Sequence, residues 1–290
     1  MKRLLIVFKR SFLQQQRDDP GFLGGLDPAT RRRLFVTDEE NRRAILDVVH
    51  EVMRRPIRAD VVYRGNLAAT GRYDLVVTVG GDGTLLAASH FVGRTPVLAV
   101  NSDPVHSLGL FCGADRHTFA GALDAARRGR ISRTPLNRLR VLINGRPVRE
   151  RVMNELLFSR KNPASMSRYR LFVDGRAEEQ RSSGVWISTA VGSTAAIRAA
   201  GGRRMPIRST RIQTLTREPY SWGLKPYRLD RARTSRAVEI QTLSPGSAIW
   251  IDGDRVRYPL RYGDRVTVRT GATPLTVLGH DDARRRRLFP

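Results

Sequence analysis

Short apolar runs and segments with helical spacing follow one another in the first third of the chain. Leu4 to Phe8, Tyr73 to Val79 and Pro96 to Val100 are nearly continuous apolar runs. Such runs are typical of strands that are buried on both faces of a parallel sheet. Between the first two, Asn41 to Met53 places apolar residues at helical intervals. Strands that alternate with helices predict an α/β layer with a parallel sheet.

Two further segments complete the prediction for this part of the chain. Residues 10 to 37 are rich in Arg, Gly, Pro and Asp, and we expect a long loop there, with Asp38 capping the helix that follows. Leu85 to Phe91 is expected to form a short helix directly after a glycine-rich stretch.

The pattern changes near residue 136, where short alternating strands follow one another through turn signals. The expected strands are Arg138 to Ile143, Tyr169 to Val173, Val185 to Thr189, Ala248 to Ile251 and Arg265 to Arg269. The turn signals are Asn144-Gly145, Asp174-Gly175, Asp252-Gly253 and Gly263-Asp264. We therefore expect an α/β domain over residues 1–135, a mainly antiparallel β domain over 136–275, and a basic tail over 276–290.

Composition limits the class of protein. With 40% hydrophobic and 27% charged residues, the chain has the composition of a soluble globular protein, and no apolar run approaches the roughly 18 residues of a membrane span. The only cysteine, Cys112, cannot form an internal disulfide, which favours a reducing cytoplasm. No cysteine and histidine spacing indicates a zinc site.

The charge is strongly positive, with 52 Lys and Arg against 27 Asp and Glu. Lysine occurs only at positions 2, 9, 161 and 225, so the other cations are arginines. They suit either a polyanion site or a solvated surface in an arginine-biased chain. Because they are spread over the whole chain without a DNA-binding motif, we assign most of them to the surface, including the run Arg284 to Arg287. We expect neither specific nucleic-acid binding nor membrane binding.

The strongest chemical signal is the segment from Gly80 to Thr84, between a buried strand and a helix. Glycines at such a turn let backbone N–H groups approach phosphate oxygens, near the positive end of the helix. The segment has no lysine of a Walker A loop and no third glycine of a dinucleotide fingerprint. It does carry a carboxylate, Asp82, which is either a reactive group inside a phosphate cradle or the cap of an ordinary turn.

Two later segments carry polar residues in unusual places. The strand Val185 to Thr189 leads into Gly192-Ser193-Thr194, followed by a predicted helix over Ala195 to Ala200. These hydroxyls either cap that helix or contact a ligand. Asn154-Glu155 interrupts an apolar strand, and its side chains need partners from the backbone or from a ligand.

Together these segments resemble the NAD kinase family. Four stretches match its signatures in order: Asp74 to Leu86, Asn154-Glu155, Ser188 to Gly202 and Asp252-Gly253. The GGDGT sequence alone is shared with diacylglycerol and sphingosine kinases, whereas all four at this spacing are specific. The resemblance implies a phosphofructokinase- or diacylglycerol-kinase-like α/β domain and a β-sandwich-like second domain. It also implies Mg²⁺-ATP-dependent phosphorylation of the adenosine-ribose 2′-hydroxyl of NAD or NADH, by a homodimer or homotetramer.

The resemblance also implies roles for individual residues. Asp82 is the general base that activates the hydroxyl. The ATP phosphates are cradled by Gly80, Gly81, Gly83 and Thr84. The dinucleotide is held by Asn101, Asn154, Glu155, Ser183, Thr189, Gly192, Ser193, Thr194 and Asp252. Mg²⁺ accompanies ATP, with no metal site built from side chains alone and no prosthetic group.

Details of the motifs indicate a subgroup. Asn101 to Cys112 differs from the usual bacterial stretch and resembles plant NADH kinases and, more loosely, mitochondrial NAD kinases of animals. Ser183 stands where most family members carry an aspartate that contacts the dinucleotide, and Ala196 stands where many carry a tyrosine. We expect NADH to be accepted at least as well as NAD. The alternatives are a lipid kinase that shares the GGDGT loop and a non-catalytic nucleotide-binding protein.

Overall fold

The protein is described from a computed structural model, which covers residues 1–19, 21–68, 72–221, 226–234 and 236–280. The arginine run at 284–287 lies outside these residues. The chain divides into two compact units. The first unit contains residues 1–135 and the described residues from 275 onwards, and the second unit contains residues 136–274.

The first unit is an α/β layer. Its strands up to the boundary are β1 (Arg3–Phe8), β2 (Arg58–Tyr63), β3 (Leu75–Gly80), β4 (Val97–Asn101), β5 (Ala114–Asp115) and β6 (Arg133–Leu136). Its helices are α1 (Phe12–Gln15), α2 (Pro28–Met53), α3 (Asp82–Ser89) and α4 (Phe119–Arg127). Strands β2, β1, β3 and β4 pair in parallel in that order. Helices α2 and α4 place Val48, Val52 and Leu123 in the same buried cluster as strand residues such as Ile6 and Val77.

The prediction of a loop over residues 10–37 is wrong, because α2 begins at Pro28. Asp27 caps this helix and accepts hydrogen bonds from the N–H groups of Ala29 and Thr30, both at 3.0 Å. Asp38, the expected cap, lies inside the helix and accepts a hydrogen bond from the Ser11 hydroxyl. Apolar periodicity indicates only the second half of α2, because the first half buries no residue.

The second unit consists mainly of two antiparallel six-stranded sheets. Its strands are β7 (Leu139–Ile143), β8 (Arg146–Val152), β9 (Glu155–Arg160), β10 (Ser167–Val173), β11 (Arg176–Ser182), β12 (Gly184–Ser188), β13 (Ile212–Arg217), β14 (Arg231–Thr234), β15 (Ala237–Thr242), β16 (Ser247–Ile251), β17 (Val256–Leu260) and β18 (Arg265–Arg269). The strand orders are β11-β10-β15-β18-β7-β8 and β14-β13-β12-β9-β16-β17. One buried cluster contains apolar residues of both sheets, including Tyr169 and Phe158, as in a sandwich.

Strand β19 (Leu275–Leu278) returns the chain to the first unit and lies between β4 and β6. It pairs in parallel with β4 through Val277 and Leu278. The expected tail therefore does not begin at residue 276, because residues 276–278 are part of a sheet. The fold class predicted from sequence, an α/β layer followed by a mainly antiparallel β domain, is confirmed.

The cap at Asp27 gives a test of the true start of α2. We expect Asp27→Ala to lower the free energy of unfolding by about 1 kcal/mol, because two N–H groups of the first turn lose their acceptor. Asp27→Asn should keep most of this stability, since its side-chain oxygen accepts the same bonds. Urea unfolding of both variants measures the effect, and equal losses in the two would contradict the capping role.

Candidate active site

The glycine-rich segment of the first unit requires glycine for steric reasons. Strand β3 ends at Gly80, whose φ is +155°, and Gly81 is the N-cap of α3. A Cβ atom on Gly80 would lie 2.2 Å from Oγ1 of Thr84, which is too close for any side chain. Helix α3 begins at Asp82, three residues before the predicted start, so Asp82, Gly83 and Thr84 form its first turn. Their N–H groups lie where helices bind anions.

The carboxylate of Asp82 is held from outside its own helix. It accepts hydrogen bonds from the backbone N–H groups of Leu110 and Phe111, both at 2.9 Å. These two donors orient the carboxylate, which remains partly exposed. The two donors could not be predicted from the sequence, because they are backbone groups about 28 residues from Asp82 and depend on no particular side chain.

Asn101 supports the loop that carries these two donors. Its side-chain N–H₂ donates to the carbonyl oxygen of Ser107 at 2.8 Å, and its side-chain oxygen accepts from the N–H of Asp103 at 3.1 Å. A Cβ atom on Gly109 would lie 2.4 Å from the Asn101 nitrogen, at a φ of +54°. Both polar atoms of Asn101 therefore bond within the protein, where they shape the loop beside Asp82.

In the second unit, Asp252 binds the backbone of the asparagine-acidic pair. Its Oδ1 accepts from the N–H groups of Asn154 at 2.7 Å and Glu155 at 3.2 Å, and its Oδ2 accepts from Met153 at 2.9 Å. Asp252 has a φ of +51° at the turn between β16 and β17. The Asp252 carboxylate, which we expected to contact a dinucleotide, thus fixes the backbone of Asn154 and Glu155.

The third motif packs against the same backbone. The hydroxyl of Thr189 donates to the carbonyl oxygen of Met153 at 2.6 Å and accepts from the N–H of Gly192 at 3.0 Å. A Cβ atom on Gly192 would lie 2.1 Å from the carbonyl oxygen of Asn154, so only glycine fits. Three segments that are distant in sequence therefore meet at Asn154.

The hydroxyls of Ser193 and Thr194 do not cap a helix. Ser193 is fully buried, and its hydroxyl donates to the carbonyl oxygen of Ala190 at 2.7 Å and accepts from the N–H of Met205 at 2.8 Å. Thr194 donates to the carbonyl oxygen of Val191 at 3.4 Å. Residues Gly192–Thr194 form a single 3₁₀ turn, and the helix after them, α5 (Ala196–Ala199), is shorter than the predicted one. Within the protein, these hydroxyls therefore stabilise the turn.

A cleft of about 410 Å³ lies on the exposed face of the sheet that contains β9. We name it the tryptophan cleft, because Trp186, Leu157 and Trp250 form one row across β12, β9 and β16, with Leu157 paired to both tryptophans. Glu155 and Ser183 also line it. Two flat aromatic side chains beside a leucine offer an apolar surface to a ring-shaped ligand. This row could not be predicted from the sequence, because the row depends on how the three strands pair.

Cations outnumber anions around the tryptophan cleft. Arg160, Lys161 and Arg217 line it, and the Arg217 guanidinium lies 5.8 Å from the centre of the Trp186 ring. The lining acids are Glu155 and Asp254. The cleft therefore favours an anionic or neutral ligand over a cationic one.

Glu155 is buried, and burial is the main cause that raises its pKa to about 8. The nearby carboxylate of Asp252 raises it further, whereas a hydrogen bond from the N–H of Ala196 opposes the rise. Burial also raises the pKa of Asp252, against the three N–H donors that favour its charged form. Glu155 is therefore mostly protonated near neutral pH.

Two buried oxygen atoms at this place have no hydrogen-bond partner among the residues that the structure describes. They are Oδ1 of Asn154 and Oε2 of Glu155. Buried polar atoms are nearly always satisfied, so these two are candidates for contact with a ligand. The amide oxygen of Asn154 can only accept a hydrogen bond, whereas a protonated Glu155 carboxyl can also donate one.

No group of three or more metal-ligating side chains occurs within the described parts of the chain. No helix in these parts is long and apolar enough to cross a membrane.

The chain that carries this glycine loop and the Asn154-Glu155 pair is similar to known NAD kinases. The family model described as "ATP-NAD kinase N-terminal domain" matches residues 30–131. A probable NADH kinase of Oryza sativa is 34% identical over 229 residues, which are 71% of this chain and 70% of the relative. The NADH kinase of Arabidopsis thaliana is 32% identical over 249 residues, covering 77% and 78%. The chain belongs to the NAD kinase family.

Solved structures agree on the fold. An NAD kinase from Archaeoglobus fulgidus in complex with ATP superposes with a TM-score of 0.68 at 21% identity, covering 99% of this chain and 97% of that one. Yeast NADH kinase complexed with NADH gives a TM-score of 0.71 at 18% identity, covering 99% and 86%. The resemblance inferred from the motifs is confirmed.

The raised pKa of Glu155 gives a prediction about stability. Between its ordinary pKa near 4.5 and its folded pKa near 8, the folded protein holds a proton that the unfolded chain releases, so the stability contributed by Glu155 falls as pH rises. The slope is at most about 1.4 kcal/mol per pH unit.

Glu155→Gln should remove this slope, because its side chain does not titrate. Urea unfolding from about pH 5 to about pH 8 gives the wild-type-minus-variant difference in the free energy of unfolding. A difference that does not change with pH would contradict the raised pKa.

Proposed function

We propose that this kinase transfers the γ-phosphoryl group of ATP to the 2′-hydroxyl of the adenosine ribose of NADH or NAD. The observation that carries the proposal is Asp82, a carboxylate held by two backbone N–H groups in the first turn after a glycine loop. Membership of the NAD kinase family supports it. Neither a lipid kinase nor a non-catalytic binding protein receives support from the comparisons.

The proposed reaction needs alignment, charge neutralisation and removal of one proton. Asp82 accepts the proton of the 2′-hydroxyl while the hydroxyl oxygen forms a bond to the γ-phosphorus. The bond between that phosphorus and the bridging oxygen breaks, and ADP leaves with the electron pair. The backbone of Gly80, Gly81, Gly83 and Thr84 lies beside the donor phosphates. A magnesium ion bound with ATP would neutralise part of their charge.

We place the acceptor in the tryptophan cleft. The amide oxygen of Asn154 would accept a hydrogen bond from the adenosine part of the dinucleotide, and the carboxyl group of Glu155 would form another. Trp186 and Trp250 would stack on its rings. Thr189, Gly192 and Asp252 act through the backbone of residues 153–155 and hold these oxygens in place. Ser193 and Thr194 stabilise the adjoining turn.

Asp82→Asn tests the role of the carboxylate. We expect kcat to fall by about 10² to 10⁴, because the amide cannot accept the proton, whereas its oxygen can still accept a backbone hydrogen bond. Asp47→Asn, on an exposed part of α2, is the matched control and should leave kcat unchanged. A well-folded Asp82→Asn variant with near-normal NADPH production would rule out the assignment.

The acceptor preference is proposed from charge. Ser183 lines the cleft at a position where the family usually has a carboxylate, and three cations line the same cleft. Without that carboxylate, the positively charged nicotinamide ring of NAD gains little Coulomb attraction in the cleft. The dihydronicotinamide ring of NADH is neutral, so the absence of the carboxylate does not weaken its binding. We expect kcat/KM for NADH to be at least equal to that for NAD.

Ser183→Asp should shift this preference toward NAD by on the order of 1 kcal/mol, whereas Ser183→Ala should not shift it. Steady-state kinetics with both acceptors at saturating ATP and Mg²⁺ measure the ratio. A wild-type preference for NAD of about tenfold, or roughly 1.4 kcal/mol, would contradict the charge argument. A shift toward NADH in Ser183→Asp would contradict it equally.

The family resemblance also leads us to propose a homodimer or homotetramer, to be measured by light scattering. A reducing cytoplasm as its location is proposed from the single cysteine of the sequence, Cys112, which is buried.

A further inference from the structure

Lys9 lies directly after β1, beside the glycine loop of the first unit. Its N–H donates to the carbonyl oxygen of Val79 at 3.2 Å, and its carbonyl oxygen accepts from the side chain of Asn41 at 3.1 Å. With the backbone held on both sides, the side chain lies against Gly80. Its Cγ is 3.2 Å from the point where a Cβ atom on Gly80 would stand, and Oγ1 of Thr84 is 2.2 Å from the same point.

A lysine is unusual in this chain. Of 52 cationic residues only four are lysines, at positions 2, 9, 161 and 225, so a cation with no special requirement is nearly always arginine here. Lysine differs in carrying a compact ammonium group that acts as a point charge on phosphate.

The ammonium of Lys9 has no ion-pair partner within the described parts of the chain. Asp103, the acid whose charge acts on it most, is already bound by His106, with 2.9 Å between its Oδ1 and the Nδ1 of the histidine. Burial and the positive charge of Arg64 lower the pKa of Lys9. A partly buried cation in this situation is stabilised by an anion.

Two buried hydroxyls beside Gly80 also have no hydrogen-bond partner among the described residues. They belong to Thr84, which is fully buried, and Ser102, which is 2% exposed. The backbone N–H of Ser102 donates to the carbonyl oxygen of Gly80 at 3.2 Å, which places Ser102 next to the loop. Two hydroxyl groups and a lysine side chain next to one glycine are groups that bind phosphate oxygens.

We propose that the Lys9 ammonium binds phosphate oxygens of the donor nucleotide and positions its phosphate chain at the glycine loop. The ligand class is a nucleoside di- or triphosphate. The identification of the ligand as ATP rests on the proposed function. The identification of a phosphate chain rests only on the surroundings of Gly80. Lys9 takes no proton from the acceptor, so its loss affects donor binding first.

Kinetics of three variants test the assignment. Lys9→Met should raise KM for ATP by about tenfold or more while changing KM for NADH less than twofold, because one charge-assisted contact to phosphate is lost. Lys9→Arg should recover part of the loss by restoring the charge. Lys2→Met, at the other end of β1, is the matched control and should change neither constant. Equal changes in both KM values, or an unchanged KM for ATP, would overturn the proposal.

A second measurement uses the unmodified protein and does not depend on the folding of a variant. Lysine acylation followed by mass spectrometry compares the labelling rates of Lys9 and Lys2 without ligand, with ATP and with tripolyphosphate. We expect both ligands to slow labelling of Lys9 by several-fold and to leave Lys2 unchanged.

The ligands separate the two possible failures. If the wild type uses ATP but ATP does not protect Lys9, this proposal is wrong and the proposed function stands. If tripolyphosphate protects Lys9 but the protein transfers nothing from ATP, the phosphate site stands and the donor assignment is wrong.

Discussion

The carboxylate of Asp252 holds together the part of the second unit on which the proposed acceptor site depends. It accepts hydrogen bonds from the backbone N–H groups of Met153, Asn154 and Glu155, at the start of β9. Without it these donors would be buried and unsatisfied, which costs about 1–3 kcal/mol for each group. The close approach of Gly192 to the carbonyl oxygen of Asn154 fixes the same backbone from the other side. Beside this fixed backbone, Oδ1 of Asn154 and Oε2 of Glu155 have no hydrogen-bond partner among the described residues.

In the first unit the backbone holds a carboxylate, whereas in the second unit a carboxylate holds the backbone. The backbone N–H groups of Leu110 and Phe111 hold the side chain of Asp82. The loop that presents them is shaped by Asn101, whose two polar atoms bond inside the loop. Asp252 thus positions the backbone around the proposed acceptor site, whereas Asp82 is positioned by the backbone for the proposed proton transfer. The aspartates of two different signatures therefore differ in the hydrogen bonds that they form.

Sequence patterns predicted the parts of this structure that depend on local periodicity or on short motifs. The buried strand before Gly80 and the antiparallel strands after residue 136 are of this kind. The first half of α2 was missed because it buries no apolar residue, and β19 was missed because it joins a sheet whose other strands are far away in sequence. Which residues form the sites stays a prediction from the motifs. Strand register and backbone hydrogen bonds, which sequence does not display, determine how Asp252, Asn101 and the two tryptophans contribute.

The proposed acceptor site lies on the exposed face of the sheet containing β9, beside the backbone that Asp252 holds. Hydrogen–deuterium exchange with and without NADH tests this placement, because backbone amides report where a ligand stabilises the fold. We expect NADH to slow exchange in the segments 153–163, 183–196 and 250–254. Unchanged exchange there, with protection instead in the opposite sheet at β10, β15 and β18, would contradict it.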